Sequence, residues 1–415
     1  MAGFATLPPE LICEIVKCSA TPFALELSST NRRLHAVCTP FVYRDIRLSE
    51  EGDLLKLSET LRSRPGLAKL VRKISIECDE ELFTARLRRN KGPTFRRVKC
   101  AAAIGSLENL ERLTLRPCLM MPLLPAGAFP KLRKLVTRFS PHLAPFLETH
   151  PTIQVLHIDT EDTDAGEGAE MASVVLPALR EFTGPAVVAA AVIPGSRVAA
   201  PTIRWDDPAT PAPAAAARIA RLARAQAHLT ELSSLTTAWN APVLALARAL
   251  PHLTVLRVAN LAPGLQRAAH RAFRAALAGA LAHLPCLVTL DVAAPTYGRV
   301  QTRAELGGEW RDLRAWRGLC PSLRRCTLLS RIAWERLPAA PDLWFPVNAG
   351  DTLDCDPSQF LQWFRGAIWR TGAETRERYE ALLCEWFPEE MAELDRKLIQ
   401  VSYAADGGVT VSISC

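Results

Sequence analysis

Two rhythms of apolar and polar residues run along the chain. Near its start, Leu11, Ile12, Ile15 and Val16 fall at helical spacing behind Leu7-Pro8-Pro9-Glu10, with proline in a first turn that tolerates its missing N–H. This predicts a short amphipathic helix. A second helix is expected after Pro22, with Phe23, Leu25 and Leu27 apolar, and a third through Arg32, Arg33, Leu34, Ala36 and Val37 up to Pro40. The segment Phe41 to Leu48 (FVYRDIRL) then alternates as a strand does.

The second rhythm is a recurring unit. It reads Leu110-x-x-Leu113-x-Leu115, Leu132-x-x-Leu135, Ile153-x-x-Leu156-x-Ile158, Leu179-x-x-Phe182, Leu229-x-x-Leu232, Leu253-x-x-Leu256-x-Val258, Leu287-x-x-Leu290-x-Val292 and Leu323-x-x-Cys326-x-Leu328. Several copies open with one phrase, as in Phe129-Pro130-Lys131-Leu132, Leu250-Pro251-His252-Leu253, Leu284-Pro285-Cys286-Leu287 and Cys320-Pro321-Ser322-Leu323. Successive copies start 22, 21, 26, 50, 24, 34 and 36 residues apart, so the gap of 50 has room for a degenerate copy near Ile203 and Trp205. An earlier copy is expected at Leu70, Ile74 and Ile76. Fixed self-similarity of this length is the mark of a repeat array in which short strands share a core and the chain returns along the outside. Return helices are expected over Gln266 to Leu284 and Trp239 to Leu250. A doubly wound sheet would alternate strands and helices too, but no Gly-rich strand-to-helix turn occurs.

Two stretches interrupt the array. Asp159 to Glu170, acidic among Gly and Thr, reads as a solvated loop, and the Ala/Pro-rich Pro185 to Pro213 reads as poorly ordered until a helix over Ala214 to Ala227. After Ser330 the pattern changes. Asp356-Pro357 can open a helix holding Phe360, Leu361, Trp363, Phe364 and Ile368, and Thr371 with Glu374 can cap another through Phe387. Lys397 to Ala404 and Val409 to Ser414 alternate around Asp406-Gly407-Gly408, a hairpin signal. Such an ending would cover the last repeat, with the aromatic cluster as its core.

At 415 residues the chain exceeds what one core usually serves. The 12 cysteines are scattered, make no Cys-x-x-Cys pair and have no histidine pair to complete a zinc set, so most are expected to be buried small hydrophobes in a reducing compartment. The longest apolar run, Ala186 to Ile193, is far shorter than the roughly 20 residues a membrane helix needs. No export signal opens the chain, and a soluble protein of cytoplasm or nucleus is expected. The net charge of +7 is local, because Arg86 to Lys99 supplies seven cations without an acid. A local patch argues for docking rather than general polyanion binding, and without an aromatic platform it disfavours nucleic acid.

The segments LPPELICEIV and LELSSTNRRLHAVCTPFVYRDIRL resemble the F-box of fungal F-box proteins, with Phe41 and Tyr43 where the animal motif commonly has tryptophan. The match spans about the first 48 residues. The resemblance implies a helical module that binds the Skp-family adaptor of cullin ubiquitin ligases, with Leu7, Pro8, Leu11, Ile15, Leu27, Leu34 and Phe41 among the contact residues. The irregular repeats resemble the degenerate leucine-rich arrays of the same fungal proteins.

Catalytic signatures are missing from the chain: it has no P-loop, dinucleotide fingerprint, nucleophile elbow or His-Glu-x-x-His motif. His252 and His283 precede repeat strands, where a turn role is expected. Strand alternation turns the residues between the repeat leucines toward one face. Those are Lys73, Arg112, Thr114, Arg116, Lys134 and Arg138, then His157, Asp159, Arg257, Asp291, Arg325 and Thr327. Arg112, Arg116, Lys134 and Arg138 are the candidate target-binding residues, suited to an acidic or phosphorylated partner.

The expected α/β fold is thus an F-box-like helical module at 1–49, a leucine-rich-repeat-like solenoid at 50–335 and a C-terminal α+β cap at 336–415. The expected protein is not an enzyme and needs no cofactor or metal. It positions a target on a ubiquitin ligase, the alternative being a repeat scaffold with no ligase connection.

Overall fold

The computed structural model describes residues 7–19, 21–77, 93–116, 118–159, 171–205, 212–225, 229–236, 241–261, 267–294, 303–328, 332–337, 340–346, 364–366, 368, 373–386, 391, 399–403 and 409–413. The chain is α/β and falls into two compact units, Met1–Leu229 and Thr230–Cys415.

The first unit opens with α1 (Pro9–Cys18), α2 (Thr21–Thr30) and α3 (Arg32–Val42). Ile12 and Val16 of α1, Ala24 and Leu27 of α2, and Leu34 and Cys38 of α3 form one core. Asn31 caps α3, its Oδ1 accepting the Leu34 amide at 2.9 Å. Pro40 does not end α3, since Phe41 and Val42 complete its last turn by packing on that core. The strand expected from Phe41 therefore starts only at Asp45, because burial against helices outweighs the alternation of two residues.

Strands β1 (Asp45–Leu48), β2 (Lys73–Ile76), β3 (Arg112–Leu115), β4 (Lys134–Arg138), β5 (Val155–Asp159), β6 (Glu181–Pro185) and β7 (Thr202–Trp205) pair in that order, all parallel. The copies expected at Ile74 and at Ile203 are thus β2 and β7. Between strands the chain returns through α4 (Glu51–Ser63), α5 (Pro65–Ala68), α6 (Pro93–Gly105), α7 (Leu143–Glu148), α8 (Ala186–Val192) and α9 (Ala212–Ala223).

The repeated phrase has a mechanical meaning. Each opening is a four-residue turn in which the last amide donates to the first carbonyl, as from Leu132 to Phe129 at 3.1 Å, Ile153 to His150 at 3.3 Å and Leu179 to Leu176 at 3.1 Å. Proline suits the second position, where its fixed φ matches the turn and no donor is required. Both ends of each turn are buried. The next two amides then donate to a single carbonyl of the preceding repeat. Glu111 and Arg112 share Arg72 O at 2.8 and 3.1 Å, Arg133 and Lys134 share Glu111 O at 2.9 and 3.0 Å, and Gln154 and Val155 share Arg133 O at 2.7 and 2.9 Å.

This fork sets the register. Ile74, Leu113, Leu135, Leu156 and Phe182 form one buried column, and Ile76, Leu115, Thr137 and Ile158 form the next. In β6 the second column reaches Gly184, where an added Cβ would lie 2.9 Å from Ile158 Cβ and 3.1 Å from Phe182 Cζ. The Phe182 ring, larger than the leucine of other copies, takes that volume.

Residues 185–205 of the Ala/Pro-rich stretch form defined structure, contrary to the expectation from their composition. Ala186 and Val188 to Ile193 are buried, since small apolar side chains let α8 pack closely. Asp159 belongs to β5, and 160–170 lies outside the described residues, as do 206–211.

In the second unit β8 (Glu231–Thr236), β9 (Val255–Asn260), β10 (Thr289–Ala293) and β11 (Arg325–Thr327) are parallel, and β12 (Ala333–Leu337) and β13 (Ala340–Pro346) follow antiparallel. The same turns and forks recur, onto Thr230 O, Thr254 O and Val288 O. Helices α10 (Ala241–Arg248) and α11 (Arg267–Leu281) match the expected return helices, and α12 (Arg303–Leu319) is a third. Beyond β13 come α13 (Ala373–Trp386) and the hairpin of β14 (Ile399–Tyr403) and β15 (Val409–Ile413). Of the aromatic cluster, Phe364 is fully buried, with ring centroids 5.7 Å from both Trp334 and Tyr379 and 6.1 Å from Trp310. The Trp344 amide donates to Tyr379 Oη at 3.0 Å. Phe360, Leu361 and Trp363 lie outside the described residues, as does Thr371.

Gly184→Ala should destabilise the first unit by about 1–3 kcal/mol, the usual cost of overpacking a filled core. Urea unfolding checks this; an unshifted midpoint would mean that Ile158 moves aside freely.

Candidate functional site

The first three helices carry more apolar surface than their own core uses. On α1, Ile12 and Val16 point inward, leaving Leu11 52% exposed and Ile15 half-buried one turn on, with Pro8 exposed on the same stripe. The four apolar residues read from the sequence as one stripe are thus two stripes. Leu27 and Leu34 lie inside the core, while Leu7 and Phe41 pack partly against it. Of the seven residues implied by the resemblance, Leu27 and Leu34 therefore hold the helices together; Pro8, Leu11 and Ile15 offer surface. Arg33, part of the Arg-Arg-Leu element, donates from Nη2 to Leu7 O at 2.7 Å and so fastens the segment entering α1.

On the face of β1 to β6 opposite the buried columns, the residue just before each core leucine forms a row. It runs Asp45, Lys73, Arg112, Lys134, Val155, Glu181 in strict register. Four residues along, Arg116 and Arg138 follow on the same face, with Thr114 and Val136 between the rows. The structure thus gathers Arg112, Arg116, Lys134 and Arg138 on adjacent strands, about 4.8 Å apart. Their acids are unevenly shared. Lys73 pairs with Asp45 at 3.5 Å, Arg72 with Glu111 at 3.8 Å, and Asp159 takes both Arg116 at 4.0 Å and His157 Nε2 at 2.9 Å. Arg112 and Lys134 have no ion pair among the described residues. Lys73 was legible as facing this way, but its place in one row with Arg112 and Lys134 emerges only when the copies are aligned on their leucines.

The corresponding face of the second unit is built differently, because its charges alternate from strand to strand. Arg257 pairs with Glu231 at 3.0 Å and Arg325 with Glu335 at 3.3 Å, with Asp291 on the strand between. Burial pushes the Asp291 carboxyl above its ordinary value, and Arg257 and Arg325 pull it back only in part. Behind the sheet, His270 of α11 is buried and pushed down to about 4 by loss of solvation, with the Arg274 charge adding to this. Arg274 is ion-paired with Asp312 of α12. Burial beside Glu309 holds the Cys326 thiol well above its ordinary value, so it remains a thiol rather than a nucleophile.

Of the basic segment Arg86 to Lys99, residues 86–92 lie outside the described residues, and Pro93 begins α6. His252 and His283 sit in exposed turns. Of the eight cysteines whose side chains are described, Cys38, Cys100, Cys320 and Cys326 are buried. Among the described residues no helix is long and apolar enough to cross a membrane. No protein-family model matches this chain, and no curated protein sequence matches it.

Two pH-linked outcomes follow from these buried groups. Because folding raises the Asp291 pKa, its ionised form costs stability that is absent below the ordinary value of 3.8 and present at neutral pH. Asp291→Asn should therefore raise the urea midpoint at pH 7, and a lowered midpoint would mean that its arginines outweigh burial. His270 acts in another window: its neutral form contributes stability fully present above pH 6.5 and lost as pH falls toward 4. The loss should approach about 3 kcal/mol, and His270→Leu should flatten the stability profile between those pH values.

Proposed function

We propose that this protein is a substrate-recognition adaptor of an SCF-type cullin ubiquitin ligase. In this reading the first three helices are an F-box-like module that docks on a Skp-family adaptor, the turn-and-strand units are a leucine-rich-repeat-like solenoid that holds a target, and the residues after β12 are an α+β cap. The observation that carries it is the second apolar stripe of α1. Pro8, Leu11 and Ile15 stay at the surface of a module whose core is already complete without them. Exposed apolar residues contiguous along a helix are suited to a partner's groove.

The mechanism is positional. A target held on the repeats and a ubiquitin-charged enzyme held through the adaptor are in effect at high mutual concentration, so the chemistry belongs to the partner. The chain itself supplies two docking surfaces and no reacting group.

Co-purification of the full chain with a Skp-family adaptor tests this. The intact chain should bind, and Leu11→Asp with Ile15→Asp should weaken binding by more than about 100-fold, as loss of buried interface anchors does. Leu11→Asp alone, at a half-exposed site, should leave the unfolding midpoint unchanged while still weakening capture. No binding by the intact chain would discard the ligase connection and leave a repeat scaffold.

A further inference from the structure

We infer that residues 135–396 are kept free of ubiquitin acceptors, so that self-modification is confined to the lysines of the first 134 residues and Lys397, and the repeats from β5 onward are not consumed by the ligase they serve. The inference rests on the proposed function, because it needs a ubiquitin-charged enzyme within reach of the repeats.

Eight of the nine lysines lie between Lys17 and Lys134, and the ninth is Lys397. Arginine shows no such skew: 15 stand in the first 134 residues and 26 in the 262 that follow. A general preference for arginine would thin lysine along the whole chain. It would not clear one interval, since at the ratio of the first 134 residues those 26 arginines would come with more than a dozen lysines.

Folding does not demand the exchange. In the first unit Lys73 faces Asp45 across β1 and β2 at 3.5 Å; in the second Arg325 faces Glu335 across β11 and β12 at 3.3 Å, with side chains about as open to solvent. Exposed pairs of this kind contribute about 0–1 kcal/mol and make little use of a guanidinium fork. Arg248 of α10, Arg271 of α11 and Arg311 of α12 occupy exposed positions, where lysine is about as good a helix former. Arginine has a geometric reason at Arg336, whose Nη1 donates to Pro321 O and Leu323 O at 2.7 and 2.9 Å, but such a reason belongs to single positions and not to an interval.

The two cations differ in one reaction. A neutral lysine amine attacks the thioester that joins the ubiquitin C-terminus to a cysteine of the charged enzyme. An amide bond forms, the carbon–sulfur bond breaks, the thiolate leaves, and the proton lost by the amine restores the thiol. A guanidinium stays protonated and offers no lone pair for this attack. A lysine on the repeats would be tethered to the ligase as the bound target is, and would compete with the target's lysines at a similar effective concentration. Arginine keeps the charge and the ion pairs while removing the competitor. The eight early lysines fall in the segment from α1 to β4, which begins with the helices that in this reading dock the adaptor.

The test is self-ubiquitylation by the full chain reconstituted with a Skp-family adaptor, cullin and RING subunits, charged enzyme, ubiquitin and ATP. The intact chain is compared with a variant carrying Arg180→Lys, Arg248→Lys, Arg271→Lys and Arg325→Lys, four exposed sites at which the charge is conserved. Mass spectrometry should find ubiquitin only on native lysines of the intact chain, and also on the introduced lysines of the variant, with several-fold more modification in total. Glutamine at the same four positions should leave modification at the level of the intact chain, which separates the new amines from the lost arginines, and unchanged unfolding midpoints show that all three chains fold alike. Introduced lysines that stay unmodified while Lys56 or Lys69 takes ubiquitin overturn the inference, as does a variant modified no more than the intact chain. Adaptor capture is measured on the same preparations. Capture without the gain discards the acceptor-free interval alone, whereas no capture discards the ligase connection and this inference with it.

Discussion

Everything on the open faces of the sheets depends on a small hydrogen-bonded fork. At the start of one strand after another, two consecutive amides donate to one carbonyl of the preceding repeat, as Arg133 and Lys134 do to Glu111 O. Two amides aimed at one oxygen permit one register. A slip of a single residue would turn the leucine columns to the solvent and the charged columns to the core, so register and side-chain placement are fixed together. The four-residue turn before each fork has both ends anchored in the core.

The two units use this device to opposite electrostatic ends. In one, Lys73, Arg112 and Lys134 are brought side by side; in the other, Arg257, Asp291 and Arg325 alternate in sign. Column placement is blind to charge, because the forks and leucines hold the backbone whatever stands between them. The open face can therefore carry an arrangement that local energetics disfavours, which is the usual condition of a binding surface. The helical module shows the same division of labour: Ile12 and Val16 hold α1 in place, and that frees Leu11 and Ile15 from doing so.

Much of the fold was legible because its period is short and its punctuation strong. The Leu-x-x-Leu spacing located the strands from Leu110 onward, and the weak signal at Ile203 and Trp205 located β7. What was not legible depended on neighbours far away in sequence. The run Pro185 to Pro213 has the composition of a loop, yet Ala186 and Val188 to Ile193 are buried, and only tertiary packing decides between those outcomes. Phe41 and Val42 alternate like strand residues but join α3, for the same reason. For the site, alternation told which side chains share a face. It could not tell that, among the described residues, Arg112 and Lys134 lack an acid while Lys73 and Arg116 have one, because that depends on Asp45 and Asp159, which are remote in sequence from the cations they serve. Nor could it separate the inner from the outer stripe of α1, which needed α2 and α3 in place.

The spacing between copies ranges from 21 residues, Leu132 to Ile153, to 36, Leu287 to Leu323, while the turn and fork stay the same. Length and composition of the return segments are thus uncoupled from the open face. Segments can be inserted, shortened or replaced on the far side without moving Arg112 relative to Lys134, and a residue in the row can be exchanged without disturbing a return helix. Such a chain can change what it recognises and what covers its back by separate mutational routes, each with its own tolerance, so diversification of one need not wait for compensation in the other.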